Sequence, residues 1–376
     1  TLILRFSSMG DVAMTVPVIR CLEKKYPENK FIYVTRPKFK PLFEEFKNVE
    51  IFELDLKKRH KGFFGLFRLF SDLIKLRPSR IADLHSVLRT NILSFLFKIF
   101  LKKVSVIDKK RNERKAITRK ENKIFKPLTP VHFLYQEVFN KLGFSIDLTI
   151  NHIFPAAKTI DLIVSPESLI ISEERAKELQ GEIDLLSKNK KKIGIAPFAK
   201  HEAKMYPLDL MQKIISYIQH NHYVFLFGFG KLEMETIVRW STVFPNVYSR
   251  FDFMMHYNGY QTAVWDGRMT DEQANFSNDI AQISNLDLMI SMDSANGHIA
   301  ANFNVPVITL WGLTHPYTGF TTFNFDPNNQ FCVNRDQYPL VPNSIYGNKM
   351  IKGYEDSMRT IKIEDVLERA NEILLN

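Results

Sequence analysis

LILRFSSMGDVAMTVPVIRCLEKKYPENKFIYVT, residues 2–35, decides the fold. Leu2 to Phe6 is a short apolar run suited to a buried strand, and the SSMGD that follows has the composition of a turn. From Val12 to Lys25 the apolar residues recur at helical spacing until Pro27 stops them, and Phe31 to Thr35 is a second strand. Strand, helix and strand at this spacing predict a parallel βαβ unit, because parallel neighbours need a crossover that a helix usually supplies.

Outward from there the pattern repeats. Lys40 to Phe46 is expected to be helical and Val49 to Leu54 to form a third strand. Gly65 to Leu76 places Leu66, Leu69, Phe70, Leu73 and Ile74 on one helical face before Pro78 ends it. Arg80 to Leu84 is the next strand and Thr90 to Lys102 the next helix, while the charged residues from Ile107 to Lys126 are expected to loop over the surface. A second series starts near Lys192. It has strands at Ile193–Ala196, Tyr223–Phe227, Leu286–Ser291 and Val305–Leu310, with helices at Leu208–Gln219, Lys231–Arg239 and from Asn296. The expectation is an α/β protein of two Rossmann-like domains facing an interdomain cleft. Residues 1–165 would bind the acceptor and 166–355 the nucleotide, and a helix in 356–376 would pack back toward the first domain.

Composition narrows the class. With 376 residues and 45% hydrophobic content the chain can bury two cores, and its two cysteines, Cys21 and Cys332, offer no CxxC spacing for a zinc site or disulfide framework. No apolar run is long enough to span a bilayer, and no signal peptide precedes LILRF, so a cytoplasmic protein is expected. The net charge of +10 is concentrated. Lys57 to Lys126 hold 21 Lys and Arg against 5 Asp and Glu, while the residues beyond are mildly acidic. Such a block is either a solvated face or the meeting point with something anionic.

Four segments carry chemistry. Arg5 to Asp11 joins a strand to a helix, where free N–H groups and Gly10 leave room for a ligand; Asp11 is either a helix cap or a base. Asp293-Ser294-Ala295-Asn296-Gly297-His298 follows an apolar strand in the same way, and small residues at a helix start suit a diphosphate. His298 lies one turn on, on the side of Ser294. Lys204, in the loop Lys204-Met205-Tyr206-Pro207, is either a solvated loop lysine or a point charge for a pyrophosphate. Gly228-Phe229-Gly230-Lys231-Leu232-Glu233 is a weak GxGxxE pattern in which Glu233 is either an exposed helix carboxylate or takes ribose hydroxyls.

On these segments the sequence resembles the glycosyltransferase family 9 heptosyltransferases of lipopolysaccharide synthesis. RFSSMGDVAMTVPVIRCL is similar to that family's opening motif, and SNLDLMISMDSANGHIAANFNVPVITLWGLTHP to its second, including Gly312, Thr314 and Pro316. The Lys-x-aromatic-Pro element falls on Lys204, Tyr206 and Pro207, with Tyr where Trp is more usual. The resemblance implies a GT-B fold, an ADP-heptose donor and an inverting transfer needing no metal or other cofactor. By position it makes Asp11 the general base and Lys204 the group that steadies departing ADP. It also implies that Glu233 binds ribose, that Asp293, Ser294, Ala295, His298 and Thr314 form the donor cradle, and that Ser8 and Gly10 lie beside the acceptor. Two departures stand out: Ala295 replaces a usual glycine, and residues 251–275, with Trp265-Asp266-Gly267, form an extra aromatic stretch that is either a lid or a plain insertion.

The basic half is expected to meet a phosphorylated, carboxylate-bearing lipopolysaccharide core of the Kdo–lipid A type, with Lys102 and Lys103 among its contacts. Phe63, Phe64, Phe67, Phe70, Phe95, Phe97 and Phe100, interleaved with Lys and Arg, suit either a core or the cytoplasmic surface of the inner membrane. Nucleic acid is not expected as a partner, since no zinc finger or RNP motif accompanies the charge. A nicotinamide oxidoreductase rests on GFGKLE alone. A GT-B transferase for another nucleotide sugar is the alternative, because no residue pattern names the sugar.

Overall fold

A computed structural model of the chain describes residues 1–158, 190–249 and 271–375. They divide into two units: Thr1–Lys115 with Pro127–Pro155, and Ala116–Lys126 with Ala156–Asn376. The expected domain limit at 165 and most of the aromatic stretch 251–275 lie outside the described residues.

In the first unit β1 (Leu2–Leu4), β2 (Phe31–Thr35), β3 (Val49–Glu53), β4 (Arg80–Asp83) and β5 (Lys103–Val106) form a parallel sheet in the order β3-β2-β1-β4-β5. β1 and β2 are buried throughout, the state of a parallel strand covered on both faces, which is why their sequences are unbroken apolar runs. The helix expected from Val12 to Lys25 is two helices, α1 (Met9–Ala13) and α2 (Val16–Lys25). Pro17 explains the break: it has no N–H for the preceding turn but is at ease in the first turn of a new helix. Pro37 and Pro41 likewise hold residues 37–43 as a 3-10 turn where a helix over 40–46 was expected. Helices α3 (Gly62–Lys75) and α4 (Leu88–Ile99) bury Leu66, Leu69, Leu73, Leu93 and Phe97 against Leu2, Leu4 and Ile81 of the sheet. Full burial of each such side chain contributes about 1.5–3 kcal/mol.

The stretch 107–126, expected to be a surface loop, contains α5 (Arg111–Thr118), and its last residues belong to the second unit. There Lys123 Nζ donates to the carbonyls of Leu340 and Pro342 at 2.6 and 2.7 Å, and the Arg335 guanidinium lies 3.4 Å over the Phe125 ring. The chain then returns to the first unit as α6 (Val131–Lys141) and the single turn α7 (Leu148–Asn151).

The second unit repeats the plan. Strands β6 (Lys192–Ala196), β7 (Tyr223–Leu226), β8 (Val247–Tyr248), β9 (Leu288–Met292), β10 (Val307–Trp311) and β11 (Gln330–Cys332) pair in parallel in the order β11-β10-β9-β6-β7-β8. Its helices are α8 (Leu208–Ile218), α9 (Lys231–Val243), α10 (Asp271–Ser284), α11 (Ala295–Ala301) and α12 (Ile363–Leu375). The C-terminal helix α12, expected to return toward the first domain, places Val366, Ala370 and Leu374 in the second unit's core with Met211, Ile215 and Leu288. Its apolar stripe is satisfied there. In both sheets the first strand of the unit is central and the chain reverses its direction of growth beside it, between β1 and β4 and between β6 and β9. Ligands of such sheets gather at that switch point, outside the carboxyl ends of the strands.

Candidate active site

At the carboxyl end of β1, Arg5-Phe6-Ser7-Ser8 leads into α1, with Ser8 at the N-cap and Asp11 at the third helical position. The Ser8 N–H donates to Asp11 Oδ2 at 3.2 Å, as in a capping box, and the Ser8 hydroxyl donates to the same oxygen at 2.6 Å. Arg5 Nη2 lies 2.6 Å from Asp11 Oδ1, while Arg5 Nη1 is held by the Leu84 carbonyl at 2.8 Å. A carboxylate has about four lone-pair sites. These contacts use two on Oδ2 and one on Oδ1, so Oδ1 retains a place for an incoming hydroxyl. Burial works to raise the pKa of Asp11, but the Arg5 charge and the Ser8 hydrogen bonds outweigh it and hold the group below the usual value. Asp11 is therefore both cap and ionised acceptor. Gly10 sits in the first turn of α1, its carbonyl bonded to Met14 N–H.

Beside this loop opens a pocket of about 480 Å3, with Ser7, Arg36, His85 and Arg89 as its polar lining and Phe63, Leu88 and Ile92 in its apolar wall. His85 accepts from Phe6 N–H at 3.5 Å. Burial, then the Arg5 and Lys109 charges, push its pKa down to about 3, so the ring is neutral in the working range. Lys109, bonded to the Ser86 carbonyl at 3.2 Å, is lowered to about 8, by burial first and then by Arg5 and Arg114.

Lys102 and Lys103, expected at the acceptor, are placed elsewhere. Lys103 opens β5 opposite Arg80, at the amino edge of the sheet, whereas Ser8 and Asp11 follow its carboxyl edge. Strand direction sets these two apart from the Asp11 loop. Of the basic side chains at the carboxyl edge, Arg36, Arg89 and Lys109, the sequence singled out Lys109, within a charged run, and neither arginine. They sit after different strands and share no local motif.

The second unit brings residues from three adjacent strands together. Lys204 ends the 3-10 turn Glu202–Lys204 after β6, Asp293 follows β9 and Thr314 follows β10. Lys204 Nζ lies 2.8 Å from Asp293 Oδ2, with 14% and 7% of the two side chains exposed, and the Thr314 hydroxyl donates to the same oxygen at 3.1 Å. Two further contacts steady the lysine. Tyr206, the aromatic of the Lys-x-aromatic-Pro element, is buried and bonds the Ile361 carbonyl at 2.8 Å, tying the loop to the lead-in of α12. Gly347, at φ +67°, lies so close that a Cβ there would collide with Lys204 Cγ. A glycine is needed for both the left-handed backbone and the approach to the lysine stem.

Ser294 is the N-cap of α11, Ala295 its first residue, and His298 is buried one turn on. The Ser294 hydroxyl is buried without a hydrogen-bond partner among the described residues, a state that a bound polar ligand relieves. Ala295 is absent from the positive-φ residues, so its Cβ is accommodated without strain. Glu233, expected at ribose, accepts the N–H groups of Phe229 and Gly230 at 2.8 and 3.2 Å and so caps α9.

Residues 273–340, which include Asp293, Ser294, Ala295, His298 and Thr314, match the family model described as glycosyltransferase family 9 (heptosyltransferase). A lipopolysaccharide heptosyltransferase 1 of Campylobacter coli is 22% identical, over 99% of this chain and 98% of its own. Among solved structures, a family 9 glycosyl transferase from Veillonella parvula superposes with a TM-score of 0.65 at 17% identity, covering 100% of this chain and 96% of that one. The ADP-heptose lipopolysaccharide heptosyltransferase II of E. coli gives 0.57 at 18%, covering 100% and 98%. The heptosyltransferase WaaC of E. coli, solved with ADP, gives 0.58 at 14%, covering 99% of each. The resemblance read from the motifs is borne out: the family model and the full-length relative support a glycosyltransferase, and the two-sheet α/β fold is the GT-B fold of these neighbours.

Proposed function

We propose that the protein moves a heptose from ADP-heptose to the inner core of a lipopolysaccharide acceptor of the Kdo–lipid A type, with inversion, without a divalent metal, at the cytoplasmic face of the inner membrane. The names of the Campylobacter coli relative and of the E. coli structures support heptose as the sugar and ADP as its carrier. The observation that carries the chemistry is the open position on Asp11 Oδ1, an ionised carboxylate oxygen at a strand's carboxyl end beside a pocket with cationic lining.

The step balances simply. An acceptor hydroxyl gives its proton to Asp11 as its oxygen bonds to the anomeric carbon, and the bond from that carbon to the diphosphate breaks, releasing ADP. One displacement inverts the centre. Lys204, held by Asp293, turns an ammonium N–H to the charge that grows on the departing phosphate. Ser294, Ala295 and His298 flank it, and Glu233 is assigned to ribose through the carboxylate oxygen its cap leaves free. Ser8 and Gly10 shape the acceptor side, with Arg36, Arg89 and Lys109 facing its anionic groups; Lys102 and Lys103 drop out of that role.

The test is a donor screen with purified protein, a Kdo-bearing acceptor and EDTA. Transfer from ADP-heptose, and not from UDP-sugars, is the expected result. Activity that EDTA abolishes and Mn2+ restores would overturn the metal-free step, and transfer from a UDP-sugar alone would overturn the donor.

A further inference from the structure

Helices α3 and α4 present an outer face of large exposed apolar side chains. α3 buries Leu66, Leu69 and Leu73 and leaves Phe63, Phe64 and Phe67 exposed, Phe64 to 79%. α4 leaves Leu88 and Phe95 exposed, and the turn after it adds Phe100 and Leu101, the last at 94%. The phenylalanines form two contact groups, one on α3 and one that joins α3 to α4. The Phe63 ring packs on Phe64 and Phe67 at 6.0 and 5.0 Å, and Phe70 joins the two helices by packing on Phe97 and Phe100 at 5.0 and 5.3 Å. Single exposed apolar residues are ordinary, but a contiguous patch of large ones marks a docking surface.

The charge around the patch identifies what docks. Residues 57–103 carry twelve Lys and Arg and only two carboxylates, Asp72 and Asp83. Both carboxylates are already engaged. Asp72 is paired with Arg59 at 2.7 Å and His60 at 3.2 Å, and Asp83 is buried, accepting the N–H groups of His85 and Ser86. Lys61, Arg68 and Lys98 are exposed on or beside these helices with no ion-pair partner among the described residues, and Lys57 and Lys58 are exposed beside Asp55, which accepts their backbone N–H groups. Protein interfaces are depleted in lysine, whereas a lysine rim around inserted aromatics matches an anionic lipid surface, where the stems lie along the apolar layer and the ammonium groups meet phosphate. Among the described residues no helix is long and apolar enough to cross a membrane.

We propose that the α3–α4 face seats on an anionic phospholipid bilayer, phenylalanines in the interface and lysines on the headgroups. Phe63 and Leu88 belong both to this face and to the wall of the 480 Å3 pocket, whose other lining includes Ser7, Arg36 and His85. The pocket therefore opens onto the seat, and an acceptor anchored in the bilayer is received without leaving it. This last clause rests on the proposed transfer; the seat rests on the surface alone.

The experiment is co-sedimentation with vesicles of phosphatidylcholine and phosphatidylglycerol, compared with phosphatidylcholine alone. The variants are Phe64→Ser/Phe95→Ser and Lys58→Glu/Lys98→Glu, all at exposed positions outside the pocket lining, with folding checked by circular dichroism. Wild type is expected to bind the anionic vesicles, and each double variant to lose on the order of tenfold or more in affinity. Both variants are expected to keep wild-type turnover on a deacylated, water-soluble acceptor. Variants that bind like wild type, or a wild type that ignores anionic vesicles, would overturn the seat. So would self-association lost in Phe64→Ser/Phe95→Ser without any vesicle binding, which assigns the face to a second copy. No transfer by wild type with vesicle binding intact counts against the proposed function and leaves the seat standing.

Discussion

The first unit makes its ion pair within one loop, Arg5 with Asp11, while the second assembles Lys204 with Asp293 across neighbouring strands and adds Thr314 from a third. Both pairs lie at the carboxyl edge of a parallel sheet, beside the strand where the order reverses. In the first, the arginine is spent on the Leu84 carbonyl and on Asp11, and the carboxylate keeps a vacant acceptor position. In the second, the carboxylate oxygen is spent on the lysine and the threonine, and the ammonium keeps donors to give. One plan thus leaves an open carboxylate position in one pair and spare ammonium donors in the other, according to which partner is saturated.

The sharpest way to break this comparison is Asp11→Asn. The expected loss in turnover is roughly 100- to 10,000-fold, the range for a general base, with donor binding by calorimetry unchanged. Near-normal turnover would make Asp11 only a cap. Lys204→Ala is expected to weaken ADP binding and turnover by roughly tenfold to a hundredfold. It should also cost about 3 kcal/mol of stability, because Asp293 is left buried and unpaired. Denaturant unfolding checks this, and Lys204→Ala/Asp293→Ala should recover part of the stability and none of the activity. If the single variant is as stable as wild type, the pair is not the second unit's counterpart of Arg5–Asp11.

The smallest effect concerns pH. A lysine with its pKa lowered to about 8 is charged below that pH and neutral above it, so the acceptor KM should rise a few-fold as pH climbs through 8. Lys109→Arg should remove that rise. On the acid side Asp11 stays ionised below the ordinary carboxylate value and His85, at about 3, does not titrate near neutrality. An acid limb near pH 6 in kcat would assign the base to another group.

The strands and the strand-end residues were legible because each is local. β1 and β2 are contiguous apolar runs, and Asp11, Lys204 and Asp293 each follow such a run in a recognisable turn. Glu233 was legible as a carboxylate at a helix start, while its bonds to the N–H groups of Phe229 and Gly230 were not. Arg36, Arg89 and Lys109 were not legible as a group, since only the pairing of β2, β1, β4 and β5 brings their loops to one edge. Lys102 and Lys103 show the converse: charge is written in the sequence, but the edge of the sheet it occupies is not. The mix of buried and exposed phenylalanines in α3 and α4 had the same origin, because helical spacing gives a face without saying what covers it. α6 was passed over although Leu134, Tyr135, Val138 and Phe139 carry its periodicity openly.

The short return of residues 116–126 to the second unit bears on how such a protein can be inherited or engineered. A unit whose wall includes Lys123 and Phe125 is not a contiguous cassette. A cut after Pro155 leaves the carbonyls of Leu340 and Pro342 without their ammonium and Arg335 without its aromatic face. Recombination that exchanged the second unit as one stretch of gene would deliver it without that piece. Specificity in a chain threaded this way changes by substitution within the whole more readily than by trading halves.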